Sequence, residues 1–198
     1  VRIVSFSDYH NSGKIDIPDG DVLIIAGDSS HFGKLDDFEE LISSLPHKHR
    51  LLIGGNHDSP FLNGEAKEIA PSMTYLEDDF VVIDGLKFYG APWHSVVGMT
   101  FGLSDMEMSS KWNKIPDDTD VLITHMPPYG TLDGSGPDSH WGCVNLASRV
   151  FEIKPRVHIF GHLHCAHGRH KHNGTEYVNV ALTNNHYEII HEPTIIDL

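Results

Sequence analysis

Five short stretches of this chain hold residue types that bind cations or move protons. They are Asp8 with His10, Asp28, Asn56 with His57 and Asp58, His125, and His162 with His164. Neutral imidazole is the commonest transition-metal ligand, and a His-x-His pair just past a strand can aim both rings at one point where the chain bends. Gly161, which has no Cβ, permits such a bend ahead of His162 and His164. Each stretch alone has a duller explanation. Asp8 or Asp28 would serve as a helix cap, Asn56 as a turn residue, and His125 as a hydrogen-bonded core histidine. Together they offer carboxylate, amide oxygen and imidazole nitrogen. That mixture suits manganese, iron, zinc or nickel, and the lack of thiolate argues against structural zinc. Asp8, His10, Asp28, Asn56, His125, His162 and His164 are too many ligands for one ion; with Asp28 as a bridge they would hold two. Two cations about 3.5–4 Å apart can activate a water and clamp the oxygens of an in-line displacement at phosphorus.

The elements that must position these residues are legible as apolar runs directly before them. Residues 1–6 (VRIVSF), 22–26 (VLIIA), 50–53 (RLLI), 121–124 (VLIT) and 157–160 (VHIF) read as strands, several apolar at every position and so buried on both faces. Leu35, Phe38, Leu41, Ile42 and Leu45 recur at helical spacing before Pro46. Strand, helix and strand in alternation predict a βαβ unit with a parallel core, whose ligand crevice lies at the carboxyl ends of its strands. Five ligand-bearing strand ends in one chain are hard to dismiss as coincidence. A short helix is expected at 65–70. Asp84-Gly85 joins an antiparallel hairpin of 80–83 and 86–89, and Asn173-Gly174 joins another of 167–172 and 175–180. Further helices are expected at 106–112 and around Leu146 and Val150, closing before Pro155. A long loop spans 126–142, and the last strands are expected at 187–191 and 195–198.

Composition bounds the function. The 198 residues are expected to form one domain, 1–198, with an ordinary hydrophobic share of 39%. No apolar run has the length of a membrane span, and no export signal is visible, so a cytoplasmic protein without a membrane partner is expected. Cys143 and Cys165 are too few for a disulfide framework and are read as reduced thiols. The net charge of −14 leaves no basic footprint for long nucleic acids. Of the sixteen histidines, five are assigned to metal or catalysis; the others, including His47, His49, His167, His170 and His172, are taken as surface or loop residues.

Asp8-x-His10, Gly27-Asp28, Gly55-Asn56-His57-Asp58, His125 and Gly161-His162-x-His164 resemble, in order, the motif set of the calcineurin-like metallophosphoesterase superfamily. The resemblance covers nearly the whole chain. It implies an α/β fold of four layers, an α/β/β/α sandwich, with a dinuclear centre. It further implies that Asp8, His10, Asp28 and His164 bind one metal and Asp28, Asn56, His125 and His162 the other. His57 would be the general acid at the leaving group, oriented by Asp58. A narrower likeness, carried by Tyr89-Gly90-Ala91-Pro92-Trp93, 122–128 with Gly142-Cys143, and 157–162, is to small metallophosphodiesterases of the MPPED type, which resemble class III cyclic-nucleotide phosphodiesterases. The chain keeps His162, so both metals are expected. It lacks an arginine soon after Gly27-Asp28, where Ser29-Ser30-His31-Phe32-Gly33 stands instead, which argues against a phosphoprotein phosphatase.

The function expected is a phosphodiesterase acting on small, including cyclic, nucleotides through a metal-bridging hydroxide. Manganese is the foremost cofactor, with iron, zinc, nickel or cobalt as alternatives. The rival readings are a phosphomonoesterase of the same superfamily and a non-catalytic scaffold. Trp93 and His94 are expected to line the substrate pocket, Trp93 by stacking on a base; a core tryptophan is the alternative. The oligomeric state is left open.

Overall fold

Apolar runs that alternate between two buried faces require two sheets, each covered on its outer side. The computed structural model describes residues 1–35, 38–136 and 138–198, with backbone alone at 63 and 64. In chain order the elements are β1 (Arg2–Phe6), β2 (Val22–Ala26), α1 (Phe38–Ser43), β3 (His49–Ile53), α2 (Ala66–Ile69), β4 (Thr74–Tyr75), β5 (Asp79–Ile83) and β6 (Leu86–Ala91). There follow α3 (Asp105–Trp112), β7 (Val121–Thr124), α4 (Val144–Ile153), β8 (Val157–Phe160), β9 (Gly168–His172), β10 (Thr175–Asn179) and β11 (Thr194–Asp197). Short 3₁₀ helices cover Ser59–Gly64 and His164–Ala166.

One sheet runs β11-β1-β2-β3-β4 and the other β5-β6-β7-β8-β10-β9. Their inner faces share one apolar layer. Ile3, Val22, Ile24, Leu51 and Ile53 of the first meet Phe88, Val121, Ile123, Val157, Ile159 and Val178 of the second. The alternate residues point outward. Val4, Leu23, Ile25 and Leu52 pack with Phe38 and Ile42 of α1; Tyr89, Leu122 and Phe160 pack with Met108, Trp112, Leu146 and Val150 of α3 and α4. The result is the four-layer α/β/β/α sandwich. Fully burying one such side chain contributes about 1.5–3 kcal/mol, so this double core is the main source of stability.

β1, β2, β3 and β4 are mutually parallel, as are β6, β7, β8 and β10; β11, β5 and β9 are the antiparallel edges. The antiparallel character expected in the middle of the chain is therefore confined to β5 with β6, after which β6 joins the parallel set. The parallel strands of both sheets deliver their carboxyl ends to the centre described below. Asp84 (φ +49) with Gly85 (φ +82), and Asn173 (φ +51) with Gly174 (φ +89), form the expected two-residue hairpin turns.

Three expectations need correction or bounding. No strand forms over 187–191. Asn184 Oδ1 accepts N–H bonds from His186 (2.8 Å) and Glu188 (3.1 Å), and Tyr187 turns to φ +62, so the segment folds into a polar turn with only a bridge from Thr183 to Ile189. His47 is buried, not a surface residue, and so is His158 inside β8. Positions 36 and 37 of the expected first helix, and 137 of the long loop, lie outside the described residues. The described part of that loop is tied around buried Asp133, which accepts from Gly130 N–H (2.9 Å), Gly142 N–H (3.1 Å) and His140 Nδ1–H (2.9 Å). Cys143 and Cys165 are both free thiols; Cys143 Sγ caps α4 by accepting from Leu146 N–H.

Candidate metal centre

The residues after β1, β2 and β8 turn sharply as they leave their strands. Asp8 (φ +54), His10 (φ +49), Asp28 (φ +53) and His162 (φ +67) all adopt left-handed backbone. Non-glycine residues in that region carry a cost of order 1–3 kcal/mol each and cluster at functional sites. The bend at the His-x-His pair is thus made by His162 itself. Gly161 serves closeness instead: a Cβ there would collide with Ser7 Oγ and Asp8 Oδ2.

These turns bring the seven sequence-derived ligands into one buried cluster. His164 Nε2 lies 3.4 Å from Asp8 Oδ1 and 3.2 Å from His10 Nε2. Asp28 Oδ2 sits 3.8 Å from His10 Nε2 and 3.4 Å from His125 Nε2. Asn56 Oδ1 is 2.9 Å from His125 Nε2 and 2.8 Å from His162 Nδ1. Ligand atoms of Asp8, His10 and His164, of Asp8, Asp28 and His125, and also of His10, Asp28 and His57, converge closely enough to share an ion.

Surrounding groups fix the orientation of these ligands. His125 Nδ1–H donates to the Ala26 carbonyl (3.0 Å) and His164 Nδ1–H to the Asn184 carbonyl (2.9 Å), which turns each Nε2 inward. Asp8 Oδ2 accepts from Ser7 Oγ–H (2.5 Å) and His162 N–H (2.9 Å), and Thr183 Oγ1–H donates to the Asp8 carbonyl (2.7 Å). Asp28 Oδ1 accepts from His57 N–H (2.8 Å), leaving Oδ2 to the histidines. Burial alone would raise the Asp8 and Asp28 carboxyls. The neighbouring imidazoles, His164 and His125 at Asp8 and His125 and His10 at Asp28, hold both below the ordinary carboxylate range. Burial opposes charge on His125 too, yet Asp28 and Asp8 push it up to about 9. Burial lowers His10 to about 4 and His162 to about 3. Two ionised carboxylates, an amide oxygen and four imidazoles aimed inward are a donor set that fits divalent transition ions.

The pair expected to act in catalysis, His57 and Asp58, is arranged differently from expectation. The His57 ring stands 4.7 Å from that of His10, and its Nδ1 has no partner among the described residues. Asp58 does not orient that ring. Its carboxylate accepts N–H bonds from Ser30 (2.8 Å), Gly55 (2.9 Å) and Ser29 (3.2 Å), three backbone donors with no other use for their hydrogens. Burial, then the nearby Asp28 charge, raises Asp58 to about 7. Burial also lowers His57 below its usual value.

Trp93 and His94 are not on the open face. Trp93 is 8% exposed; its Nε1–H donates to Asp78 Oδ1 (2.5 Å) and Lys111 Nζ lies 3.6 Å over its ring. His94 is fully buried and stacks behind His162 (5.7 Å, 23°). Its Nδ1 accepts from Val96 N–H and its Nε2–H donates to Thr100, so it is a support for His162. Sequence reading missed Ser7, Thr183 and Asn184, and also the rings of His31, Phe32 and Tyr187 around His57. Ser7 could have been found beside Asp8; the others carry no spacing signal.

The family profile described as Calcineurin-like phosphoesterase matches residues 4–166, which span every ligand named above. The chain belongs to this family. This calcineurin-like phosphoesterase is a metal-dependent hydrolase of phosphate esters, and the family binds a dinuclear divalent metal site. Among similar proteins, a UPF0046 protein of Caenorhabditis elegans is 37% identical over 98% of this chain and 74% of its own length. The Homo sapiens metallophosphoesterase domain-containing protein 1 is 34% identical over 100% of this chain and 71% of its own, which supports the MPPED-type likeness. The solved phosphopantetheinyl hydrolase PptH from Mycobacterium tuberculosis shares the fold at a TM-score of 0.62, with 14% identity over 93% of this chain and 90% of that one. TT1561 of Thermus thermophilus superposes at 0.60, with 13% identity over 90% and 88% of the two chains.

Proposed function

We propose that this phosphoesterase is a phosphodiesterase of small molecules, cyclic nucleotides among them, working with two manganese ions. The observation that carries the dinuclear reading is the place of Asp28. One carboxylate oxygen faces His10 on one side and His125 on the other, at 3.8 and 3.4 Å. Asp8, His10 and His164 would hold one ion with Asp28, and Asn56, His125 and His162 the other. When bound, the pair supplies an activated water and neutralises charge on the phosphoryl oxygens.

The chain's own groups do the rest. His57, anchored through its backbone N–H to Asp28, stands at the edge of the cluster and, once protonated beside the bound anionic phosphate, gives that proton to the departing ester oxygen and returns to neutral imidazole. Asp58 locks the loop that carries His57 by gathering three backbone N–H groups. The sequence charge of −14 supports a small substrate over a long nucleic acid. No helix among the described residues is long and apolar enough to cross a membrane. The two free thiols support a reducing compartment, the cytoplasm.

The test is hydrolysis of bis(4-nitrophenyl) phosphate beside 4-nitrophenyl phosphate, with manganese restored after chelation and Asp28→Ala as control. Faster diester cleavage that needs the metal and is lost in Asp28→Ala supports the proposal. Monoester preference would redirect it to a phosphatase. Metal uptake without turnover on either substrate would count against it.

A further inference from the structure

Beside His57 a phenylalanine stands where backbone physics would choose asparagine. His31 and Lys34 exchange both backbone hydrogen bonds, each 3.2 Å, across a two-residue turn of Phe32 (φ +47) and Gly33 (φ +85). Positive φ at both central positions is the type I′ geometry, for which Asn-Gly is the favoured pair. A phenylalanine at the first position strains its Cβ against the backbone, and nothing in the core repays this, because Phe32 is 65% exposed. Single exposed apolar side chains are ordinary. This one is also held in a costly conformation and lies against the proposed acid, its ring centroid 4.4 Å from that of His57 and 4.9 Å from His31. Tyr187, likewise at positive φ, completes the wall: its ring is 4.9 Å from His31 and 4.7 Å from His10. The approach to His57 is therefore framed by aromatic rings from two separate segments, 31–32 and 187.

We infer that Phe32 is a specificity residue, a platform that selects phosphate esters carrying a flat aryl or heteroaryl ring, a phenyl or a nucleobase, on the leaving-group side. A ring lying on the His57 side of the phosphate would meet the Phe32 face or edge at the separations aromatic pairs prefer. An alkyl group there would gain contact area alone. This inference rests on the phosphoesterase reading above, with His57 on the leaving-group side.

The experiment uses the full chain loaded with manganese and compares, by calorimetry, the affinities for phenylphosphonate and methylphosphonate. These non-hydrolysable probes share the anionic head and differ in the ring. The wild type is expected to favour the phenyl compound by about fivefold or more, the scale of one aromatic stack. Phe32→Asn should bring that ratio near one while raising Tm by about 2–4 °C, since asparagine accepts the left-handed turn. Phe32→Tyr, which keeps the ring, should retain the preference. An unchanged ratio in Phe32→Asn, or no phenyl preference in the wild type, overturns the inference and leaves the phosphoesterase reading standing. Failure of both phosphonates to bind, together with no metal-dependent ester hydrolysis, removes that reading and this inference with it.

Discussion

His125 points its Nε2 at Asn56 Oδ1 across 2.9 Å while its Nδ1–H is tied to the Ala26 carbonyl. An amide oxygen and a nitrogen so oriented gain most when a cation lies between them. Manganese is therefore expected to raise Tm by roughly 5–10 °C at about a hundredfold excess over its Kd, an effect worth about 2.7 kcal/mol. Differential scanning fluorimetry with and without chelator measures it. A wild type indifferent to metal, or an Asn56→Ala variant that responds equally, would refute the assignment.

Gly161 tests how closely the two sheets must approach. A methyl there would strike Ser7 Oγ and Asp8 Oδ2. Gly161→Ala is expected to lose metal-dependent turnover by about a hundredfold, on the scale of a roughly 1 Å misplacement in a catalytic site. Gly85→Ala, in a hairpin turn with open space around it, is expected to keep turnover and only weaken the fold. Equal activity loss in both variants would mean that crowding at Ser7 and Asp8 is not the reason for the glycine.

Asp58 is expected to act on the fold as much as on catalysis. Asp58→Ala strands three N–H donors, at Ser29, Ser30 and Gly55, and should cost about 3 kcal/mol or more in urea unfolding. If Asp58→Ala unfolds at the wild-type urea concentration and loses only kcat, the carboxylate acts on the His57 ring after all.

Asp78 gives a pH dependence remote from the metal centre. Burial alone would raise its carboxyl, but bonds from Trp93, Lys111 and Lys114 hold it below the ordinary value. A depressed folded pKa contributes stability that is complete above the unfolded value near 4 and fades as pH falls through the folded one. Asp78→Asn keeps the left-handed φ of +51 with a residue that tolerates it. The variant should be about 1–2 kcal/mol less stable at pH 7, with the gap closing as the pH falls below the ordinary carboxylate range. A gap independent of pH would show that the loss is steric.

Strand ends were legible because each joins an all-apolar run to a ligand-type residue, as at Thr124-His125 and Phe160-Gly161-His162. Strand pairing across the sandwich has no local signature, and neither does the route of the chain after β10. Residues 187–191 have strand-like composition, yet Asn184 captures two N–H groups and forms a turn. The choice between pocket and core for Trp93, which the structure settles for the core, was open for a similar reason. Its fate was decided by Asp78 and Lys111, fifteen and eighteen residues away, which pin the ring in the core. Phe32 carried no sequence signal of its own, because only its backbone dihedral and its contact with His57 distinguish it.

Every oxygen ligand of the centre, from Asp8, Asp28 and Asn56, follows a strand of the first sheet. The second sheet supplies imidazole alone, from His125, His162 and His164. The seven-residue set is complete only when both sheets are docked, although His10, Asp28 and His57 of the first sheet converge on their own, so filling of the whole cation pair would report sheet docking. The first sheet alone would offer at most one ion the three side chains His10, Asp28 and His57, so the full pair of ions is expected to be captured only in the last kinetic phase. Stopped-flow refolding against a metal-sensitive dye would show it, and early uptake of both ions would disprove it. The split also means that metals bias the chain toward the docked state during folding, linking the cell's cation supply to the yield of assembled sandwich as well as to turnover.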